Sequence, residues 1–334
     1  MKTSAWKRAF SHGEVPALII GLLMFLFFSF ATKKFFTAYN IVLLFNQMAV
    51  YGMLGAGLTL VIIVGGMDIS IGSTLSLCCS LMGMIWEYAK GLPNEGLFIL
   101  LGAMASIGVG TLVGMLLGTM ITFFRIPDMV ASLALQRITR GIAIAISQGR
   151  ALSKFPRSIY KLGVTKFLGI GLPFWAFLAF VVILTIILAY TRFGRRIYMM
   201  GNNATAANLA GVNVARTRFL VYTTEGLIVG LCSVIYLSYN FYAMASTTGD
   251  SILSYVLAAV LMGGASMSGG KGTAVGTLFG AFALGTIMNG LIHIGATANA
   301  VDIIVAMTIM AVLLVQFLVR WLPGRAAGKA RAEI

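Results

Sequence analysis

Pro16-Ala17-Leu18-Ile19-Ile20-Gly21-Leu22-Leu23-Met24-Phe25-Leu26-Phe27-Phe28-Ser29-Phe30-Ala31 runs without one charged side chain. A helix rises about 1.5 Å per residue and the hydrocarbon core of a bilayer is about 30 Å thick, so a run of this kind reads as a membrane span. Lys2, Lys7 and Arg8 precede it and no small-residue cleavage site follows, so a retained first span is expected rather than a removed signal. Working outward, comparable runs recur after this first segment, 16–32, at 40–64, 70–89, 96–124, 128–148, 172–190, 217–240, 252–265, 273–292 and 300–320. They predict an all-α integral membrane protein of about ten transmembrane helices. The breaks carry turn chemistry or charge: Gly65-Gly66, Gly91-Leu92-Pro93-Asn94, Arg125-Ile126-Pro127-Asp128, and Gly263-Gly264 through Gly269-Gly270. No connection is long enough for a soluble domain, so residues 1–334 are expected to form a single transmembrane domain.

Composition agrees. The chain is 59% hydrophobic and 10% charged, against about a quarter charged in a soluble domain. Its 39 glycines and 19 methionines suit membrane helices that approach closely and leave irregular gaps to fill. The net charge of +15 does not signal nucleic-acid binding, because the basic residues sit mostly between apolar runs, where they set topology. Cys78, Cys79 and Cys232 lie inside apolar runs at spacings that suit neither a metal site nor a disulfide framework.

With the N-terminus in the cytoplasm, ten spans return the C-terminus there. That side then receives Lys2, Lys7, Arg8, Arg125, the arginines from Arg192 to Arg218, Lys271, Arg320, Arg325, Lys329 and Arg331. The bias favours this orientation. Arg150, Lys154, Arg157, Lys161 and Lys166 work against it, since they crowd one external loop.

Two polar interruptions resemble one another. Val64-Gly65-Gly66-Met67-Asp68-Ile69-Ser70-Ile71-Gly72-Ser73 breaks one apolar hairpin, and Met262-Gly263-Gly264-Ala265-Ser266-Met267-Ser268-Gly269-Gly270-Lys271-Gly272 breaks a later one. Matching breaks in two halves suggest a weak internal repeat with a transport path at its interface. Catalysis has little support. No His-Glu-x-x-His run, paired-carboxylate cluster or Cys-x-x-Cys is present. The glycine-rich Ser268–Gly272 lacks the spacing and the hydroxyl of a phosphate-binding loop, so neither an ATP site nor a metal or cofactor is expected on this chain.

The segment from Arg192 to Arg218 is the most informative. After Arg192-Phe193-Gly194-Arg195-Arg196 come Gly201-Asn202-Asn203, then Ala204-Thr205-Ala206-Ala207-Asn208-Leu209-Ala210 and Gly211-Val212-Asn213. Asn202 or Asn203 is a fitting N-cap, the alanines favour helix, and Gly211 is a natural C′ residue. A helix of about two turns cannot persist alone in water. It either rests on the lipid surface as a linker or docks on a cytoplasmic partner.

At this point the chain resembles the permease subunits of the ribose-type ABC sugar importers, a group with transporters for ribose, arabinose, xylose, galactosides and the sugar-like autoinducer-2. The likeness spans nearly the whole chain. It rests on Leu58 through Ser73, on Gly194-Arg195-Arg196-Ile197-Tyr198 leading into Gly201-Asn202-Asn203, on Ala210-Gly211-Val212-Asn213, and on Val260 through Ser266 to Gly269-Gly270-Lys271-Gly272. The resemblance implies a passage for a monosaccharide-like solute, with no bond chemistry of its own. It also implies a bacterial inner-membrane location, with ATP bound by a cytoplasmic sugar-type ABC ATPase. Further implied partners are a second permease, identical or paralogous, and a sugar-binding protein, periplasmic or lipid-anchored, outside. It makes Asn202, Asn203, Ala204, Thr205, Ala206, Ala207, Asn208, Leu209, Ala210 and Gly211 the coupling segment for that ATPase.

Polar groups inside spans normally face a bundle interior or a wet cavity. Asn46, Gln47, Asp68, Asn289 and His293 are therefore sugar-path candidates, although an interhelical hydrogen bond is the commoner fate of such groups. Asp68 either lines the path or caps the helix after it, and capping is the favoured reading. Glu225 lies mid-span, and a pair with an arginine such as Arg137 or Arg140 is open to it. Two other classes compete. A secondary transporter would use Glu225 or Asp68 as a proton or sodium site. A membrane enzyme would need clustered acids or histidines at one face, and the sequence shows none.

Overall fold

The computed structural model describes residues 14–240 and 248–314. Lys2, Lys7, Arg8 and the C-terminal Arg320, Arg325, Lys329 and Arg331, on which the charge-bias argument leans, lie outside the described residues. The helices are α1 (Glu14–Ala31), α2 (Ala38–Ile63), α3 (Ile71–Ala89), α4 (Glu95–Thr122), α5 (Asp128–Ser147), α6 (Arg157–Val164), α7 (Leu172–Tyr190), α8 (Arg192–Asn202), α9 (Ala204–Leu209), α10 (Val214–Asn240), α11 (Thr248–Met262) and α12 (Ala274–His293). A further helix, α13, covers Ala298–Leu314. Strands β1 (Lys166–Phe167) and β2 (Ile170–Gly171) form a small antiparallel hairpin.

Seven of these helices, α1, α2, α4, α5, α7, α10 and α12, are long and apolar enough to cross a membrane. The expected spans 70–89, 252–265 and 300–320 coincide with α3, α11 and the described part of α13, which are shorter or more polar. The helices are ordered by depth. Of the most apolar window of α2, 67% is buried, against 17% for α1. α1 accordingly presents Leu22, Leu23, Leu26, Phe27 and Phe30 outward, as a lipid-facing helix does. Its aromatic run is not only such a stripe: Phe28 and Phe35 are buried, with ring centroids 5.7 Å apart.

Two of the helix starts have a local side-chain cause. Thr37 and Thr273 cap α2 and α12, accepting from Asn40 N at 3.3 Å and Gly276 N at 2.9 Å. The helix ends explain the two glycine interruptions. At the end of α2, Gly65 (φ +78°) lets its own N–H reach Ile62 O at 3.0 Å and the Gly66 N–H reach Val61 O at 2.9 Å. At the end of α11, Gly264 (φ +88°) repeats the arrangement, with bonds to Leu261 O at 3.0 Å and from Ala265 N to Val260 O at 3.2 Å. Both are Schellman closures, which need the left-handed conformation that glycine adopts freely.

The two breaks also touch each other. Gly270 N donates to Ile63 O at 2.8 Å. The helices that follow and precede them pair lengthwise, with Thr59 and Thr277 hydroxyls 2.6 Å apart near this end. A third element joins: a Cβ on Gly201 of α8 would lie 1.8 Å from Ile63 O.

α4 and α10 meet backbone to backbone. Gly110, Gly114 and Gly118 recur at every fourth residue of α4; the first two face Gly226 and Gly230 of α10, and Gly118 faces Phe219. A Cβ on Gly226 would stand 2.2 Å from Gly110 O, and one on Gly114 2.3 Å from Tyr222 O. Without a hydrophobic drive between helices in lipid, such backbone proximity supplies the attraction. The basic loop 148–171 is ordered by one carboxylate. Glu87 pairs with Arg150 at 2.7 Å and accepts Ser153 N and Lys154 N at 2.9 and 3.2 Å.

Replacing Gly226 with Val should overpack this contact by about 1–3 kcal/mol, read as a lower thermal midpoint in detergent. Gly108→Ala on the partner helix α4 meets open space and should leave the midpoint unchanged. Equal midpoints for the two variants would refute the backbone contact.

Candidate functional site

The arginine-flanked segment folds as two helices where the sequence suggested one. Thr191 caps α8, accepting from Gly194 N at 3.2 Å. α8 buries Gly194, Ile197 and Met200. It is fastened to the glycine loops by Tyr198, whose hydroxyl donates to Gly272 O at 2.7 Å. Asn203 then turns the chain. It is extended, at φ −161° and ψ 103°, and its side chain accepts from Ala206 N at 2.9 Å. The N-cap is thus Asn203, while Asn202 belongs to α8 and donates from Nδ2 to Tyr198 O at 2.8 Å.

α9 is short and closed at both ends. Gly211 (φ +83°) donates to Asn208 O at 3.0 Å, and Val212 N to Ala207 O at 3.0 Å. Ala207 is buried, at 2% exposure, and Ala204 is half-buried against the core. Thr205, Ala206, Asn208, Leu209 and Ala210 face outward, with Leu209 85% exposed. Six residues cannot sustain a helix in water. The caps, the Ala207 contact and α8 hold it as a pre-formed knob with an apolar tip.

The expected path residues separate into three places. Asn289 and His293 meet Asn40, which the sequence alone did not single out. Asn40 Nδ2 donates to Asn289 Oδ1 at 2.8 Å, Asn289 Nδ2 returns a bond to Asn40 Oδ1 at 2.9 Å, and His293 Nε2 lies 2.8 Å from that same oxygen. Asn40 Nδ2 also donates to Phe35 O at 2.8 Å. These groups satisfy one another and bind α12 to the start of α2. The sequence carried no mark of this, because it depends on which antiparallel neighbour α2 finds.

Asn46 and Gln47 lie elsewhere. Asn46 is buried, yet its Oδ1 lacks a hydrogen-bond partner, as does Gln47 Oε1. Gly171, just before α7, packs so closely that a Cβ there would lie 2.1 Å from Asn46 Oδ1. Two buried acceptors without donors cost free energy unless something visits them.

Asp68 lies in the loop between α2 and α3. Its Oδ1 accepts Ser70 N at 2.6 Å and Ser70 Oγ at 2.7 Å, a local turn that leads into α3. Burial pushes its carboxyl up to about 6 while the two Ser70 donors pull the other way. Glu225 is buried, its Oε1 has no partner, and the ionisable neighbour that acts on it is Asp68, of like charge. Arg137, one of the two arginines open to Glu225, is exposed on α5 instead. Helical phase explains this: α10 turns Glu225 toward the protein, whereas α5 turns Arg137 away. Among the described residues, no group of His, Cys, Asp and Glu could hold a metal ion.

The chain is similar in sequence to known proteins. Residues 40–313 match the family described as "Branched-chain amino acid transport system / permease component". The chain is 30% identical over 317 residues to the ribose import permease protein of Escherichia coli K12, covering 94% of this chain and 95% of that one. It is 33% identical over 298 residues to the ribose import permease protein of Bacillus subtilis 168, covering 87% and 90%. To the autoinducer 2 import system permease protein of Photorhabdus luminescens it is 29% identical over 304 residues, covering 91% and 89%.

Asn289→Ala would leave one Asn40 Nδ2 hydrogen without a partner and Asn40 Oδ1 with His293 alone. A loss of about 1–3 kcal/mol is expected, measured as a lower unfolding midpoint. Unchanged stability with an altered transport KM would instead place Asn289 in contact with solute.

Proposed function

The chain belongs to the family described as the permease component of branched-chain amino acid transport systems, and from that membership we infer that it is the transmembrane subunit of a binding-protein-dependent ABC importer. Within that broad family it is a ribose-type sugar permease, since ribose and autoinducer-2 permeases match it nearly end to end. Its solute is a monosaccharide or a sugar-like molecule. An ATPase and a substrate-binding protein are its partners. A secondary transporter, with Glu225 or Asp68 as the coupling site, is set aside on the same ground.

The observation that carries the mechanism is α9. A short helix, capped at both ends and showing Leu209 to the exterior, is suited to enter a groove of a partner. Its root, α8, is bonded to the loops that end α2 and α11. A push on α9 therefore reaches the helices of the passage through backbone contacts. An ATP cycle on the partner would bias outward- and inward-facing arrangements in this way, each state favoured by its differential contacts.

We further propose that α9 lies on the cytoplasmic side, that residues 1–334 form one domain, and that two permease chains assemble with two sugar-type ATP-binding modules. The sugar-binding protein, free in the periplasm or lipid-anchored, delivers solute from outside. Nucleotide is bound by the partner, and this chain carries no cofactor. Asn46 and Gln47 are the best-supported path residues, because their free oxygens suit the hydroxyl donors of a sugar. Asp68, Asn289 and His293 have internal partners and act on the path through the packing they hold.

Two tests follow. Ala207→Pro deletes the bond from Ala207 N to Asn203 O and costs about 3 kcal/mol or more of helix stability. It should insert normally and lose ATPase co-purification or coupled transport, as should Leu209→Asp, while Lys161→Ala should not. Parent-rate transport by the proline variant would make α9 a lipid-surface linker. For orientation, a single cysteine at Thr205 should resist impermeant thiol reagents in intact cells, and one at Ser158 should react. Labelling at 205 from outside would overturn the topology.

A further inference from the structure

A pocket of about 620 Å³ opens beside α9, between the α4–α5 turn and the start of α10. Thr205 and Asn208 of α9 form one wall, and Arg125, Asp128 and Arg218 are its charged lining. The charges do not neutralise each other. Arg218 Nε is buried with no hydrogen-bond partner. Asp128 Oδ2, the carboxylate at hand, accepts the Tyr222 hydroxyl at 2.8 Å. Arg125 is exposed and sits at φ +55°, a left-handed conformation that non-glycine residues adopt only where their surroundings impose it. Thr122 Oγ1, on the same wall, is also buried without a partner. The pocket therefore offers one guanidinium with a buried nitrogen that the chain leaves unanswered, a buried hydroxyl without a partner, and a second, exposed guanidinium at its side.

Unpaired buried donors are costly, and a guanidinium presents a planar fork that matches a carboxylate in two parallel bonds. The wall formed by α9 decides where the carboxylate comes from. Any protein seated on Thr205, Asn208 and Leu209 covers the mouth of this pocket. We propose that a carboxylate side chain of the ATP-binding partner enters here and binds Arg218, with Arg125 closing over it. This second anchor would fix the rotation of the partner about α9, which a single apolar knob leaves free. The inference rests on the coupling role proposed above for α9.

The test is the affinity between the purified full-length permease and its ATP-binding partner in a neutral detergent, from about 50 to 500 mM NaCl. Arg218→Met and Arg125→Met are compared with the parent, each first shown to elute and unfold as the parent does. Binding of each variant should weaken about tenfold at low salt, with a flatter salt dependence. Arg218→Lys, which keeps the charge and loses the fork, should fall between. Should Arg218→Met fail to fold, exposed Arg125→Met decides the question alone. Parent affinity and parent salt dependence in the methionine variants would overturn the proposal. So would a loss that appears only when phosphatidylglycerol is added, which would assign the pocket to an anionic lipid headgroup. A parent permease that fails to bind the ATPase at all would refute the coupling role itself, and is thereby distinguished from failure of the pocket alone.

Discussion

The hydrogen bond from Gly270 N to Ile63 O, 2.8 Å long, joins two helix ends that the surrounding apolar protein would otherwise leave open. In a membrane, backbone polar groups must find partners inside the protein, because hydrocarbon offers none. α2 and α11 both stop short of the chain's next turn, and both solve the problem identically, with a left-handed glycine and two backward bonds. Ile63 O, at the end of α2, is satisfied across the junction by Gly270 N. Gly201 of α8 completes it, at a distance that no larger residue allows.

That junction gives the peripheral helix α9 its reach. α9 has too few residues to be stable alone and buries only Ala207. Its rigidity is borrowed from α8, and α8 borrows from the glycine loops through Tyr198 and Gly201. Close packing elsewhere serves the same end. Where Gly110 and Gly114 meet Gly226, backbone touches backbone, so displacement of α10 is felt by α4 without slack. Interiors of this density pass on small shifts instead of absorbing them.

The polar residues divide by whether they are answered. Asn40, Asn289 and His293 close on one another and hold α2 to α12. Asp68 is answered by Ser70 within its own turn. Asn46, Gln47, Glu225 and Arg218 keep atoms without partners, and unanswered polar atoms in a packed protein are where function is sought. The proposed visitor of Asn46 and Gln47 is a hydroxylated solute, and that of Arg218 a carboxylate.

Sequence alone determined the class of protein, the placement of most spans and the caps of α9. Each follows from local physics: apolar length against bilayer thickness, arginine and glycine as boundaries, asparagine and glycine as helix ends. Gly211 could be named, and the N-cap narrowed to Asn202 or Asn203, because a cap involves only neighbours a few residues away. Tertiary structure decided everything that required knowing which helix stands beside which. Asn40 is an ordinary helix-start residue until α12 brings Asn289 within 2.8 Å. Glu225 was open to an arginine until helical phase turned it inward and Arg137 outward. The Arg125–Arg218 pocket is assembled from segments some ninety residues apart, a distance over which residue periodicity along a chain carries no information about contact.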